Sequence, residues 1–539
     1  MKNLKPIIFL SSFLLVFAGC DKDFEEINTN PYEINEIDLG LLFAGEQRIS
    51  VSGNWERQNT IVQHFVNPWN GGATKFFNFN FDDRGNGLWG LYTGPAKEFG
   101  HILDKINDMP EADQANYVNM KNIVRIWRAN VFMNIVDNFG NVPYFDAIKA
   151  YSDGALGYGY PKYDDAELIY ADLEKEIKEA LVALNPNGDF VSADLFYGKN
   201  GSVPSNDAVA QVAKWKKVGN SLLLRMGMRY SRVNPSKAES LVKEALNGGV
   251  MESNADDVFV IFDGTNYTNS RNGGIVTNNA HYYYAAEPFV NQLKSTNDPR
   301  AKYIIARFAD PSSPEQDPSP NLNLEEQYGI PIGIDNNQLA DTTKYRGNLL
   351  LGLDYSQMNT QGAASRLART YWLTYSQTSL LLAEAAFRGW IPGDAKVFYE
   401  NAIKADMDRY ALYVKDAQAR FNIPQTSISQ EEQDAYIKHP LVAYNAEKAL
   451  ELINTQYWIV NIFDGEEAWN NFKRSGYPVL QRNTFDNTMF AGDGSFGDGF
   501  PRRFSYPTGE ETRNQLNYND AVNVIGKNDN LVRIFWDPK

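Results

Sequence analysis

The sequence predicts a mainly α-helical fold, and three observations carry that expectation. Apolar residues recur at helical spacing in one long segment after another, as in Val124, Trp127, Val131 and Ile135. Strand signals are sparse, and Val258-Phe259-Val260-Ile261-Phe262 is the best of them. Two helix pairs show the small–large–small spacing that lets neighbouring helices approach closely: Ala238, Val242, Ala245 and Ala395, Tyr399, Ala402.

The chain opens with Lys2 and Lys5, then an apolar run from Ile7 to Ala18, too short to span a bilayer. Small residues precede Cys20, the only cysteine. This resembles a bacterial lipoprotein signal, with Phe17 where leucine is usual. It implies that residues 1–19 are removed and that Cys20 is acylated as the mature N-terminus. Residues 20–31 read as an acidic tether, Asp21-Lys22-Asp23-Phe24-Glu25-Glu26, closed by the turn signal Asn28-Thr29-Asn30-Pro31. In lipoproteins of the Bacteroidetes type, such an acidic stretch accompanies export to the cell surface. Residues 32–539 are expected to form one α-helical domain.

Helices are predicted over 116–139, 164–184, 215–230, 236–247, 373–388, 394–410 and 446–463. Asn234-Pro235 separates the third from the fourth, and Gly248-Gly249 stops the fourth. Ala383 stands where the first helix of the later pair wants a small residue; Met226, its counterpart in the earlier pair, does not fit. The two pairs lie far apart in sequence, so no tandem array is predicted. Long irregular segments separate the helices: 54–92, 263–287, 310–326 and 482–500. Loops of this length in a compact protein are commonly functional or disordered.

Composition narrows the function. The net charge is −16, which disfavours nucleic acid and an anionic lipid surface as partners. With one cysteine, no internal disulfide forms, so packing must hold the fold. No apolar stretch has the length of a transmembrane helix. His64, His101, His281 and His439 are far apart and form no zinc motif, and no nucleophile elbow or phosphate loop is present, so no cofactor or metal is predicted. Asp493-Gly494-Ser495-Phe496-Gly497-Asp498 carries calcium-type ligands without the acidic spacing of an EF-hand and reads as a turn. Aromatic residues make up 13%, and those in loops beside amides suit the flat apolar faces of sugars. The candidate ligand residues are Trp69, Asn70, Phe76, Phe77, Trp89, Asn266, Tyr267, Arg271, Tyr282, Tyr283 and Tyr284.

Several local strings then converge on one family. Val136-Asp137-Asn138-Phe139-Gly140-Asn141-Val142-Pro143-Tyr144-Phe145, the Asn220-Ser221-Leu222-Leu223-Leu224-Arg225 helix, and Leu382-Ala383-Glu384-Ala385-Ala386 come in that order. Gly465-Glu466-Glu467-Ala468-Trp469 with Arg474, and Pro501-Arg502-Arg503-Phe504 with Tyr506-Pro507, follow them. The ordered set resembles the SusD/RagB family of outer-membrane lipoproteins, in its second, SusD-like branch. Tyr457 replaces the lysine of one family string. The resemblance implies tetratricopeptide-like helix pairs on one side and an irregular, loop-rich region on the other. It further implies a non-catalytic lid that captures a nutrient, an oligosaccharide or a peptide, over a SusC-like, TonB-dependent channel. Trp469, Arg502 and Arg503 are expected to be structural. A paired-carboxylate surface glycosidase and a repeat-type protein-binding scaffold are the alternative classes.

Overall fold

The computed structural model describes residues 38–50, 58–66, 86–152, 159–199, 206–265, 267–276, 283–334, 336–348, 354–481 and 500–538. The fold is mainly α-helical, as the periodicity predicts. Helix α1 (Leu39–Ile49) packs on α2 (Lys97–Asn107), and α2 on α3 (Val118–Phe139). Helix α4 (Ala166–Ala183) lies against α3 and against α5 (Ala208–Arg229). Helix α6 (Pro235–Gly248) pairs with α5. After α7 (Glu287–Ser295), α8 (Tyr375–Phe387) pairs with α9 (Ala395–Gln418). Helix α10 (Gln430–Ile437) packs on α9. Helix α11 (Ala449–Val460) joins α8 to α12 (Gly465–Ser475), and α13 (Gln515–Ile525) comes last.

Local chemistry sets the helix ends. The Asp165 carboxylate caps α4 by accepting from the Glu167 and Leu168 amides. Asn234 caps α6, Pro235 takes the first turn, and Gly249 ends it at φ +88°. Thr374 and Gln377 form a capping box on α8. Helix α9 outruns its expected end because Tyr413, Val414 and Ala417 continue its buried face. The expected helix over 446–463 begins as a 3₁₀ turn, Ala446–Lys448, and ends at Val460, because Asp464 caps α12 instead.

The two pairs with small–large–small spacing are not separated in space. Helix α5 lies against α8, so the pairs stack as neighbours with a long insertion between them. The small residue missing at Met226 is supplied one position on. A Cβ at Gly227 would come within 3.0 Å of the Leu241 Cβ. Ala238, Val242, Ala245, Tyr399 and Ala402 are fully buried, as that spacing requires. The Ser379 hydroxyl donates to the Phe398 carbonyl across the later pair at 2.8 Å.

Strands are very short. β1 (Phe65–Val66), β3 (Tyr284–Ala285), β4 (Ile305–Ala306) and β5 (Gln357–Met358) form an antiparallel sheet in the order β1-β3-β5-β4. β2 (Val258–Val260) pairs with β6 (Thr370–Leu373). One contiguous apolar core runs from Phe43 to Trp536.

Through that core runs a buried polar network built from the sequence strings named above. Asp137, at the end of α3, accepts from Trp536 Nε1 (2.9 Å), Arg229 Nε (3.1 Å), Asn470 Nδ2 (3.2 Å) and the Tyr170 hydroxyl. Arg229 also grips Glu467 with both terminal nitrogens, at 3.0 and 2.5 Å. Burial pushes the Glu467 carboxyl up, but the Arg225 and Arg229 charges outweigh it and hold it down at about 2. A second knot joins Arg474 to Glu384 bidentately, both contacts at 2.9 Å. Asn138 donates to Glu466 and accepts from Gln58, and its carbonyl accepts the Phe504 amide at 2.7 Å. Trp469, Arg502 and Arg503 are buried here, so the family strings hold the fold together.

His64 belongs to the same interior. It stacks on Trp458 at 4.8 Å and meets Phe289 edge-on at 5.4 Å. Asn59 Nδ2 lies 3.0 Å from its Nδ1 and the Trp458 carbonyl 3.1 Å from its Nε2. That pattern fits a neutral ring with the proton assigned to Nε2. Burial pulls its pKa down to about 3, against the weaker upward pull of the Trp458 carbonyl. The unfolded chain therefore binds the extra proton between about pH 6.5 and 3, and the stability His64 contributes is lost as pH falls through that window. At pH 4.5 the loss is about 3 kcal/mol. Urea unfolding of the wild type and His64→Gln at pH 7 and 4.5 should show the wild type losing more. Identical pH dependence in the two would refute this role.

Candidate functional site

The candidate site is built on the β1–β3 pair. Val66 lies opposite Tyr284, so the chain leaves β1 for residues 67–85 at the point where it enters β3 from 277–282. Gln63, buried and in a left-handed conformation (φ 60°), precedes β1 at the opposite end of the pair, where the His64 carbonyl accepts the Ala286 amide at 3.0 Å. Its side-chain amide donates to the Gln481 carbonyl at 2.6 Å and accepts the Gln481 amide at 3.2 Å. Gln481 is the last described residue before 482–499. Two of the irregular stretches thus meet at the Val66–Tyr284 end of the strand pair, and a two-point amide clasp ties the start of a third, at Gln481, to the chain just before β1.

Trp69, Asn70, Phe76, Phe77, Asn266 and Tyr282 lie outside the described residues, as do Cys20 and the stretch 493–498. Among the described candidates, Tyr267 is 52% exposed, with the Arg48 guanidinium 4.7 Å from its ring centroid. An Asp263 carboxylate accepting the Thr265 and Tyr267 amides, both at 2.9 Å, fixes its turn. Arg271 lies on the short helix Ser270–Val276, which Asn269 and Asn272 clamp to the backbone of 363–368. Its guanidinium is 5.5 Å from the Trp372 ring centroid. Burial lowers its pKa, while Asp464 and Glu466 pull it the other way. Beside it is a crevice of about 10 Å³ lined by Arg369, Tyr371, Tyr413 and Phe463, room for about one water.

The remaining candidates are placed differently from the expectation. Trp89 is half-buried among Tyr92, Phe139, Tyr163 and Tyr506, with ring centroids 4.9 to 6.3 Å away. Tyr284 is fully buried and Tyr283 nearly so, because β3 is an inner strand of the sheet. Tyr283 and Tyr284 belong to the core, and Trp89 packs against it. Sequence reasoning missed Arg48 and Trp372, since each meets its partner only through the tertiary fold. No cluster of metal-ligating side chains occurs among the described residues. No described helix is long and apolar enough to cross a membrane.

Residues 31–507 match the SusD-like family, second group, described as starch-binding and associating with the outer membrane. A solved chitin-binding protein is similar at 27% identity and a TM-score of 0.72, covering 92% of this chain and 100% of its own. A SusD-like protein described as Bacteroidetes AC2a is similar at 24% identity and a TM-score of 0.75, covering 93% and 100%. A chitin-binding SusD homologue from Flavobacterium johnsoniae has 20% identity and a TM-score of 0.68, covering 92% and 97%. No curated protein matches the sequence. With a family match over most of its length and the same helical scaffold, the chain belongs to the SusD-like family.

Proposed function

We propose that this protein is a cell-surface lipoprotein, anchored through Cys20, that captures an oligosaccharide without catalysis. It acts as the lid of a SusC-like, TonB-dependent outer-membrane channel. Residues 1–19 are then the signal peptide, 20–31 the tether, and 32–539 one ligand-binding domain. The observation that carries the carbohydrate reading is that two loop stems meet at the Val66–Tyr284 pair, with a third tied through Gln481 to the chain just before β1. In the sequence, the segment that follows Val66 holds Trp69, Asn70, Phe76 and Phe77, and the one that leads to Tyr284 holds Tyr282. The starch-binding description of the family and the chitin-binding relatives support it.

The physics suits transient capture. Burying about 100 Å² of a sugar face on one ring is worth about 2.5 kcal/mol at most, before association costs. Two or three rings with a few amide hydrogen bonds give affinities of roughly mM to μM. A lid that must release its cargo needs no more.

Calorimetry with maltohexaose and chitohexaose tests the reading. Tyr267→Ala should weaken binding of the preferred sugar about tenfold and leave the melting temperature unchanged. Trp89→Ala should lower the melting temperature by several degrees, since large aromatic truncations in a core cost about 3 kcal/mol or more. If Tyr267→Ala binds like the wild type, the site does not include that face. Sugar cleavage over a long incubation would favour the glycosidase class, and binding of peptides alone would change the cargo.

A further inference from the structure

A second cleft, of about 420 Å³, opens between the end of α7 and α10. That is within the size range of small-molecule sites. In the sheet order β1-β3-β5-β4, the loop stems leave from β1, while the cleft borders the residues that lead into β4. Three strand spacings, about 14 Å, separate the two edges.

The cleft is preorganised. Under it, Arg300 is fully buried and donates to Asp298, Asp406, the Tyr436 hydroxyl and Gln456 at 2.6 to 3.2 Å. Gln456 also donates to the Tyr436 hydroxyl at 2.9 Å, so the Tyr436 wall is pinned twice. Asn297 turns the chain at φ 48°, a conformation asparagine tolerates. One Glu432 oxygen accepts the Ser429 amide in a capping box, at 2.8 Å. The other accepts from Lys302 Nζ at 2.9 Å, with both side chains more than a third exposed. His439 Nδ1 accepts the Leu441 amide at 3.3 Å, which places a proton on Nε2. Leu322 and Leu324 form an apolar border.

The chemistry selects against an ionic ligand, because Lys302 is balanced by Glu432, and Arg300 balances Asp298. It suits a hydroxyl-rich one. A donor and an acceptor side by side match two neighbouring hydroxyls, each of which donates and accepts. The leucines suit the C–H face of a ring.

We propose that this cleft is a second carbohydrate site, holding one or two sugar units of a chain that also reaches the loop face. The inference rests on the carbohydrate reading above. Two weak sites on one polymer raise overall affinity without any new contact. They would favour chains long enough to engage both.

Maltose, chitobiose and their hexasaccharides are the probes, read by calorimetry and by chemical shifts of labelled protein. The preferred disaccharide should saturate at two molecules per protein. Ala435→Trp, which fills the cleft from α10, should leave one, weaken the hexasaccharide about tenfold, and keep the melting temperature. Should that variant misfold, Lys302→Met with Glu432→Gln removes the donor and the charge while glutamine keeps the capping box. Tyr267→Ala should spare shifts around Lys302 and His439. One disaccharide per protein, unaltered by either cleft variant, would overturn the second site and leave the first intact. Absence of binding by every saccharide would overturn the carbohydrate reading and this site with it.

Discussion

Asp137→Ala is expected to remove a large share of the stability of this protein. The carboxylate is fully buried and accepts from Arg229, Trp536, Tyr170 and Asn470. Removing it leaves donors from α4, α5, α12 and the C-terminal segment without their shared acceptor. Breaking a buried ion pair by deleting one partner costs about 3–5 kcal/mol, against a typical total of about 5–15 kcal/mol. The expected outcome is a poor yield or a urea midpoint shifted far down, read by circular dichroism. Asp137→Asn keeps the shape and one acceptor oxygen, and Arg229 keeps Glu467, so it should fall between the two. A urea midpoint for Asp137→Ala equal to that of the wild type would mean that the network is ornamental.

The second large effect concerns location. Cys20→Ala should release the protein from membranes entirely. A single acyl chain binds a bilayer only marginally, and each buried CH₂ adds about 0.8 kcal/mol, so several chains on one cysteine anchor stably where the acidic body cannot. Fractionation of cells carrying the variant decides it: protein found in the soluble fraction supports the lipoprotein reading, and protein retained in the membrane pellet refutes it. In the proposed role, tethering also raises the local concentration of the protein at its channel. Copurification of a TonB-dependent channel with the wild type should therefore weaken sharply in the variant.

The sequence shows the long helices because apolar residues recur in them at helical spacing. Predicted 116–139 and 164–184 agree with Val118–Phe139 and Ala166–Ala183 to within two residues at each end. Helix α12 has only a short apolar side, Ala468, Trp469 and Phe472, and its polar side is buried as well. Glu466, Glu467, Asn470, Asn471, Lys473 and Arg474 are all buried, so its partners are charges and amides, and periodicity says nothing. The two-residue strands are too short for an alternating pattern to register. The stacking of the two helix pairs is hidden by the insertion between them, and the small residue that lets α5 approach α6, Gly227, lies one place from where the repeat spacing points. The candidate site is legible only as composition. Loop aromatics stand out in sequence, but whether a ring packs inward, as Trp89 and Tyr284 do, or outward, as Tyr267 does, depends on tertiary neighbours.

The bond from Trp536 to Asp137 spans 399 positions. It sets a timetable for folding. At roughly 5–20 residues per second, a ribosome needs roughly half a minute to two minutes to make this chain. Through about three quarters of that time the acceptor at the end of α3 exists without the donor that completes its cage. Contacts of such long range form late and slowly. A chain built this way stays unfinished until its tail arrives, which is compatible with threading through a narrow export pore. It also means that a truncation of only a few C-terminal residues should behave as a folding mutant rather than a trimmed binder.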